Sequence, residues 1–106
     1  MPFGDARGKP VEKVAEGVTR IYLTTGERIQ VCLLELKAGT TIPEHAHFDE
    51  QASYMLKGKM ETNIAGEKGI VSEGFWSAIP SYGPHSGFVL EDTVLLDIYS
   101  PPRQQP

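Results

Sequence analysis

Two histidines one residue apart, His45 and His47, are followed by Gln51 within GTTIPEHAHFDEQASYMLKG, residues 39–58. In an extended chain residues two apart project from one face, so both imidazoles can aim at a single point. Gln51 shares their parity and joins them if the intervening Phe-Asp-Glu turn preserves it. Two neutral imidazoles and an amide oxygen make half a shell for a divalent cation. Taken alone, a His-x-His more often marks half-buried structural histidines than a metal site. A second stretch, GFWSAIPSYGPH at residues 74–85, delivers His85, the third and last histidine of the chain.

These groups must be positioned by short strands. No segment of useful length carries a helical period, and turn signals recur every eight to twelve residues or so, the pattern of an all-β sandwich or barrel. Strands are expected at residues 18–23, 28–37, 52–56, 60–64, 70–71 and 75–79. A final hairpin is expected from 85–90 and 93–99 with Glu91 and Asp92 at its tip. Lys57-Gly58-Lys59 and Ala65-Gly66-Glu67 read as tight turns, residues 38–43 as a loop, and residues 11–17 have little pattern. The prolines at 101 and 102 end the sheet, because proline cannot donate to a ladder.

The 106 residues suit one domain, residues 1–106, with a mobile N-terminal arm over 1–10 and a tail over 101–106. A net charge of −4 without a basic stripe argues against a nucleic-acid partner. A single cysteine, Cys32, excludes an internal disulfide and reads as a small buried residue. No apolar run approaches a membrane span, and residues 1–10 lack a leader's apolar core. The expectation is a soluble cytoplasmic protein without membrane partners. Sheet edges and the N-terminal arm suggest a homodimer.

Taken together, the two stretches resemble the paired motifs of the cupins. The first runs Gly39, five residues, His45, one residue, His47, three residues, Gln51, six residues, Gly58; the second runs Gly74, five residues, Pro80, then His85 five residues later. The resemblance implies a double-stranded β-helix, or jelly-roll barrel, with one divalent metal ion (nickel, zinc, manganese or iron) on His45, His47, Gln51 and His85. The chain departs from the commonest pattern in Gln51 for glutamate, Tyr82 for a glycine and Val89 for an asparagine. The run LEDTVLLDIYSPPR at residues 90–103 is similar to the end of the pectin-degradation cupins, which linearise unsaturated monouronates. That similarity assigns Asp97, Tyr99 and Arg103 to the substrate.

The implied chemistry accounts for these residue types. Opening a 4,5-unsaturated uronate removes the proton of the anomeric hydroxyl, releases the ring oxygen as an enol or enolate at C5, and protonates C4. Asp97 would carry the proton and Arg103 would grip the carboxylate as a fork. Gln51 in place of glutamate leaves the metal site at a higher positive charge, which favours an anionic sugar. Residues 95, 97 and 99 share a face, so Asp97 and Tyr99 point together. Read without the resemblance, Asp97 is equally a surface aspartate and Arg103 a solvated tail residue. Glu50 reads as solvated, and Trp76 and Tyr82 as core or loop anchors rather than mouth residues. Two other readings stay open: a metal-dependent dioxygenase or other oxidative cupin, and a non-catalytic sugar-binding or sensor module.

Overall fold

The computed structural model describes residues 2–103. A 3-10 turn at Ala6–Gly8 is capped by Asp5, whose side chain accepts a hydrogen bond from the Arg7 amide. Eight strands follow: β1 (Glu12–Ala15), β2 (Val18–Thr25), β3 (Gln30–Leu36), β4 (Thr41–His45), β5 (Glu50–Ile64), β6 (Glu67–Ser72), β7 (Trp76–Ile79) and β8 (His85–Ser100). All pairings are antiparallel; the order is β1-β2-β3-β8-β5-β6, with β4 on β8 and β7 on β5. This is a jelly-roll barrel, as expected.

Two expected turns are bends inside long strands. β5 runs through Lys57-Gly58-Lys59, with register shifts against β8 on both sides of Lys57 and at Lys59. Gly58 is required there: its φ is +105°, and a Cβ would sit 2.6 Å from the Asp92 carbonyl oxygen. Likewise β8 passes straight through Glu91 and Asp92. Its first half pairs with β4 and its second with β3, while β5 accompanies both. The acidic pair marks the place where β8 changes partner, and Asp92 Oδ1 accepts a hydrogen bond from the Ala38 amide there. A polar, exposed bend and a hairpin tip look alike in sequence.

The expected loop at 38–43 contains the start of β4. Its Pro43 sits where the register against β8 shifts, between Ile42 and His45, so its missing N–H breaks no regular ladder. The patternless stretch 11–17 contains β1, an edge strand whose residues are all exposed and therefore show no alternation. Ala65-Gly66 is a tight turn as read, both residues having positive φ. Residues 2–10 precede the barrel; of the tail, residues 104–106 lie outside the described residues. No helix among the described residues is long and apolar enough to cross a membrane.

Inside the barrel the core centres on Val18, Leu36, Met55, Met60 and Val89, supported by Leu34, Ile42, Val71 and Leu95. Inward residues form rows across the strands. Arg20, Leu34, Leu95 and Met55 stand in register near the apolar end; Tyr22, Cys32, Asp97 and Ser53 form the next row, and Gln30, Tyr99 and Gln51 the one after.

Candidate metal centre and active site

All three histidines meet at one end of the barrel. His45 ends β4, His85 opens β8, and the two are register partners. His47 lies in the short connection from β4 to β5, whose second residue is Gln51. Ring centroids are 4.0 Å apart for His45 and His85, 5.0 Å for His47 and His85, and 5.7 Å for His45 and His47. One donor atom from each falls within 4.8 Å of the others.

Hydrogen bonding fixes the tautomers. The Nδ1 of His45 lies 2.9 Å from the Pro43 carbonyl oxygen, that of His47 2.9 Å from the Asp49 carbonyl oxygen, and that of His85 2.9 Å from the Gly83 carbonyl oxygen. A carbonyl only accepts, so each Nδ1 carries a proton and leaves Nε2 as the atom free to ligate. Among the described residues His85 Nε2 is buried with no hydrogen-bond partner. His47 Nε2 faces another acceptor, Gln51 Oε1, at 3.2 Å. Burial, reinforced by the two neighbouring imidazoles, drives the His85 pKa down to about 4, so this ring is neutral at pH 7. Three lone pairs and an amide oxygen turned toward one point repel unless a cation lies among them. The 3.2 Å between His47 Nε2 and Gln51 Oε1 suits neighbouring ligands on bonds of about 2.0–2.1 Å, and the histidine donors, within 4.8 Å of one another, can close on the same point. The ligand set expected from sequence therefore fits a divalent ion, with each Nδ1–H anchored as metal-bound histidines are.

The carboxylate expected on β8 is present and buried. Asp97 accepts from Ser53 Oγ at 2.6 Å and from the Tyr99 hydroxyl at 3.2 Å; Gln51 Nε2 donates to Ser53 Oγ at 3.0 Å. A continuous hydrogen-bonded path thus joins Gln51 to Asp97. Burial pushes the Asp97 carboxyl above its ordinary range, while Ser53, Tyr99 and the positive charge of Arg103 oppose that shift. Burial, and then the adjacent Asp97 charge, raise the Tyr99 phenol strongly. Arg103 folds back over the Tyr99 ring, its guanidinium carbon 5.4 Å from the ring centroid. His45, His85, Gln51, Asp97, Tyr99 and Arg103 all line one cavity of about 400 Å³.

Three further residues escaped the sequence reading. Asp49 is buried, with Oδ2 2.9 Å from His47 Nδ1 and 3.9 Å from Arg103 Nε. Because the His47 N–H is directed at the Asp49 carbonyl oxygen, the carboxylate acts on it through charge rather than a second hydrogen bond. Ser53 links Gln51 to Asp97. Both share the odd parity of 45, 47 and 51, which was the available signal. Arg20, buried on β2, also lines the cavity, and its parity with Val18 and Tyr22 was the signal there. Trp76 and Tyr82, expected to pack, are instead exposed by 74% and 65%. Glu50 is exposed, and Cys32 is fully buried, its thiol pushed up to about 11 by desolvation.

A small jelly-roll barrel with three inward histidines is the architecture of a cupin. Residues 32–99 match the family described as the cupin domain, and the chain belongs to that family. It is 28% identical over 96 residues to the pectin degradation protein KdgF of Dickeya dadantii (strain 3937), covering 89% of this chain and 87% of that protein. It is also 33% identical over 64 residues to quercetin 2,3-dioxygenase of Bacillus subtilis (strain 168), covering 59% of this chain but only 19% of the dioxygenase. Among solved structures, an RmlC-like cupin from Shewanella frigidimarina superposes with a TM-score of 0.93 at 22% identity, over 98% of this chain and 94% of that one. KdgF from Halomonas sp. superposes with a TM-score of 0.92 at 24% identity, over 98% and 96%.

Proposed function

We propose that this cupin opens 4,5-unsaturated monouronates, the sugars released by pectin or alginate lyases, to linear keto-deoxyuronates. The observation that carries the reading is Asp97: a buried carboxyl with a raised pKa, held by two hydroxyls, in the same cavity as the histidine cluster and Arg103. The similarity to the Dickeya pectin degradation protein over most of both chains supports it.

His45, His47, Gln51 and His85 would hold one divalent ion per chain, which when bound supplies Lewis acidity for the substrate carboxylate and the developing enolate oxygen. Arg103 fixes the carboxylate. Asp97 accepts the anomeric hydroxyl proton as the C1–O5 bond breaks; the C1 carbonyl forms and the electron pair leaves on O5 as the C5 enolate. Asp97 then returns the proton to C4, so the product is an isomer of the substrate and the carboxylate is regenerated. A base near the middle of the pH range is best matched to such a two-way transfer, and burial moves Asp97 in that direction. Ser53 and Tyr99 hold the two oxygens in place throughout.

The test is loss of the conjugated-alkene absorbance of an unsaturated monouronate, measured against spontaneous ring opening, with elemental analysis of the same preparation. Turnover above the spontaneous rate and about one divalent ion per chain are expected. A protein that fails to outpace the spontaneous rate with any of several metals, on both pectin- and alginate-derived sugars, overturns the reading. The local similarity to quercetin 2,3-dioxygenase favours an oxidative cupin as the second reading; oxygen uptake with an aromatic diol would reveal it, and binding without turnover would leave a sugar-binding module.

A homodimer is part of the same proposal. On the outer face Trp76, Tyr54, Leu96, Leu33 and Ile21 stand in register across five strands, backed by Ala78, Ala52, Ile98 and Val31 in the next row. A contiguous apolar sheet face of this kind favours self-association. Light scattering should give twice the chain mass for the wild type and a monomer for Leu33→Glu; a wild-type monomer across micromolar concentrations refutes it.

A further inference from the structure

The ring-opening reading leaves one buried cation of the cavity without a role. Arg20 projects inward from β2, its side chain only 9% exposed. Its Nη2 donates to Glu12 Oε1 at 3.3 Å, a long contact for a charged pair, and that carboxylate is itself half exposed. The Tyr22 ring supports the guanidinium, 4.6 Å from its centroid. Among the described residues Arg20 Nε is buried without a hydrogen-bond partner.

A guanidinium taken out of water with an idle N–H is costly, whereas an aliphatic side chain would simply have extended the neighbouring Leu34 and Leu95. Arg20 on β2 lines the same cavity as His45 on β4 and His85 at the start of β8, on a strand that pairs with neither β4 nor β8. Burial raises the Tyr22 phenol, and the positive charges of Arg20 and Arg103 both oppose that shift, so Tyr22 stands under the influence of both. The acidic groups lining the cavity are Asp97 and Glu44; the first is shifted toward its neutral form and the second is exposed at the rim. A volume of about 400 Å³ is within the range of ligand clefts and allows both ends to be filled at once.

We propose that Arg20, seated on Tyr22, is a second anion-binding point, so that the cavity takes small organic acids with a carboxylate at each end. One carboxylate lies at the histidine end beside Arg103, and the other pairs with the Arg20 guanidinium. The inference concerns binding alone and does not rest on the ring-opening reaction: a protein without turnover can still bear it out, and an active one can still refute it.

Galactarate and galactonate isolate the second carboxylate. They share a six-carbon chain and an identical α-hydroxy acid end, and they differ in whether the far carbon is a carboxylate or an alcohol. Titration calorimetry on the protein as purified, with its divalent metal retained, should show galactarate binding about tenfold or more tighter. In Arg20→Gln the two acids should bind within about threefold of each other, with galactonate little changed; Arg20→Lys should restore part of the preference, since the charge returns without the fork. Glu12→Gln, on a half-exposed side chain, frees Arg20 from its acidic neighbour and should strengthen galactarate binding while leaving galactonate unchanged; it keeps the test decisive if Arg20→Gln does not fold. Equal affinity of the two acids for the wild type, no measurable galactarate binding, or a galactarate preference that survives Arg20→Gln overturns the proposal.

Discussion

The two ends of the barrel interior are built on the same strands and differ in what those strands turn inward. Toward one end β2, β3, β5 and β8 present Val18, Leu36, Met55 and Val89. Toward the other, two residues at a time along the same faces, they present Tyr22, Cys32, Ser53 and Asp97, then Gln30, Gln51 and Tyr99. The apolar end needs no partners; contact and exclusion of water are sufficient. At the polar end each group would be costly to bury alone, and it is tolerated because a neighbour answers it: a carbonyl on each histidine Nδ1, Ser53 and Tyr99 on Asp97. Among the described residues, what remains unanswered there includes His85 Nε2 and Arg103 Nε. The apolar end supplies the stability against which that incomplete satisfaction is held.

If this division is real, the ends can be broken separately. The largest effect is expected from Asp97→Asn. The replacement is nearly isosteric, so fold and metal content should persist, but an amide cannot accept and return a proton. A loss of about a hundredfold to ten-thousandfold in turnover is expected in the absorbance assay. Undiminished activity would remove Asp97 as proton carrier while leaving the metal centre standing.

Next comes Met55→Ala at the opposite end. Met55 is 1% exposed in the centre of the core, and truncation should cost about 2–5 kcal/mol, read as a lowered denaturation midpoint at unchanged denaturant slope. Metal content and the saturated rate of the surviving folded protein should hold. Metal lost in proportion to stability would mean that the two ends are not separable.

The smallest effect is the pH dependence of the metal-free protein. His85 titrates near 4 when folded and at an ordinary 6.5 when unfolded. The unfolded chain therefore binds a proton that the folded one refuses, and stability should fall as pH drops from 6.5 toward 4. Asp97 acts with the opposite sign: its folded pKa is raised, so acidification relieves its burial and adds stability. Thermal melts of metal-free protein should thus show a shallower acid loss in His85→Gln and a steeper one in Asp97→Asn than in the wild type. Parallel curves for all three would contradict the assignment of those two groups.

Spacing and parity were enough to bring His45, His47 and Gln51 to one face, because strand geometry fixes which side chains share a face whatever the strand pairs with; it was the resemblance that added His85 to them. The same rule placed Asp97 beside Tyr99. It would have added Asp49 and Ser53, had the odd register been followed through the Phe-Asp-Glu turn and into β5. Resemblance, not spacing, singled out Arg103. Local sequence could not reveal that β5 and β8 run unbroken through Gly58 and through Glu91-Asp92, because a strand that bends to change partners exposes the same small and acidic residues as a hairpin tip.

By itself, then, the chain determined an all-β barrel, a histidine and glutamine cluster, and the inward face of the last strand. These depend on period and on residue type, which are local properties. Only the tertiary structure decided that His85 pairs with His45, that Gln51 reaches Asp97 through Ser53, that Asp49 stands beside His47, and that Arg20 lines the cavity with an N–H to spare. Those relations join residues from different strands, and which strand lies beside which is settled by how the whole sheet closes around its core.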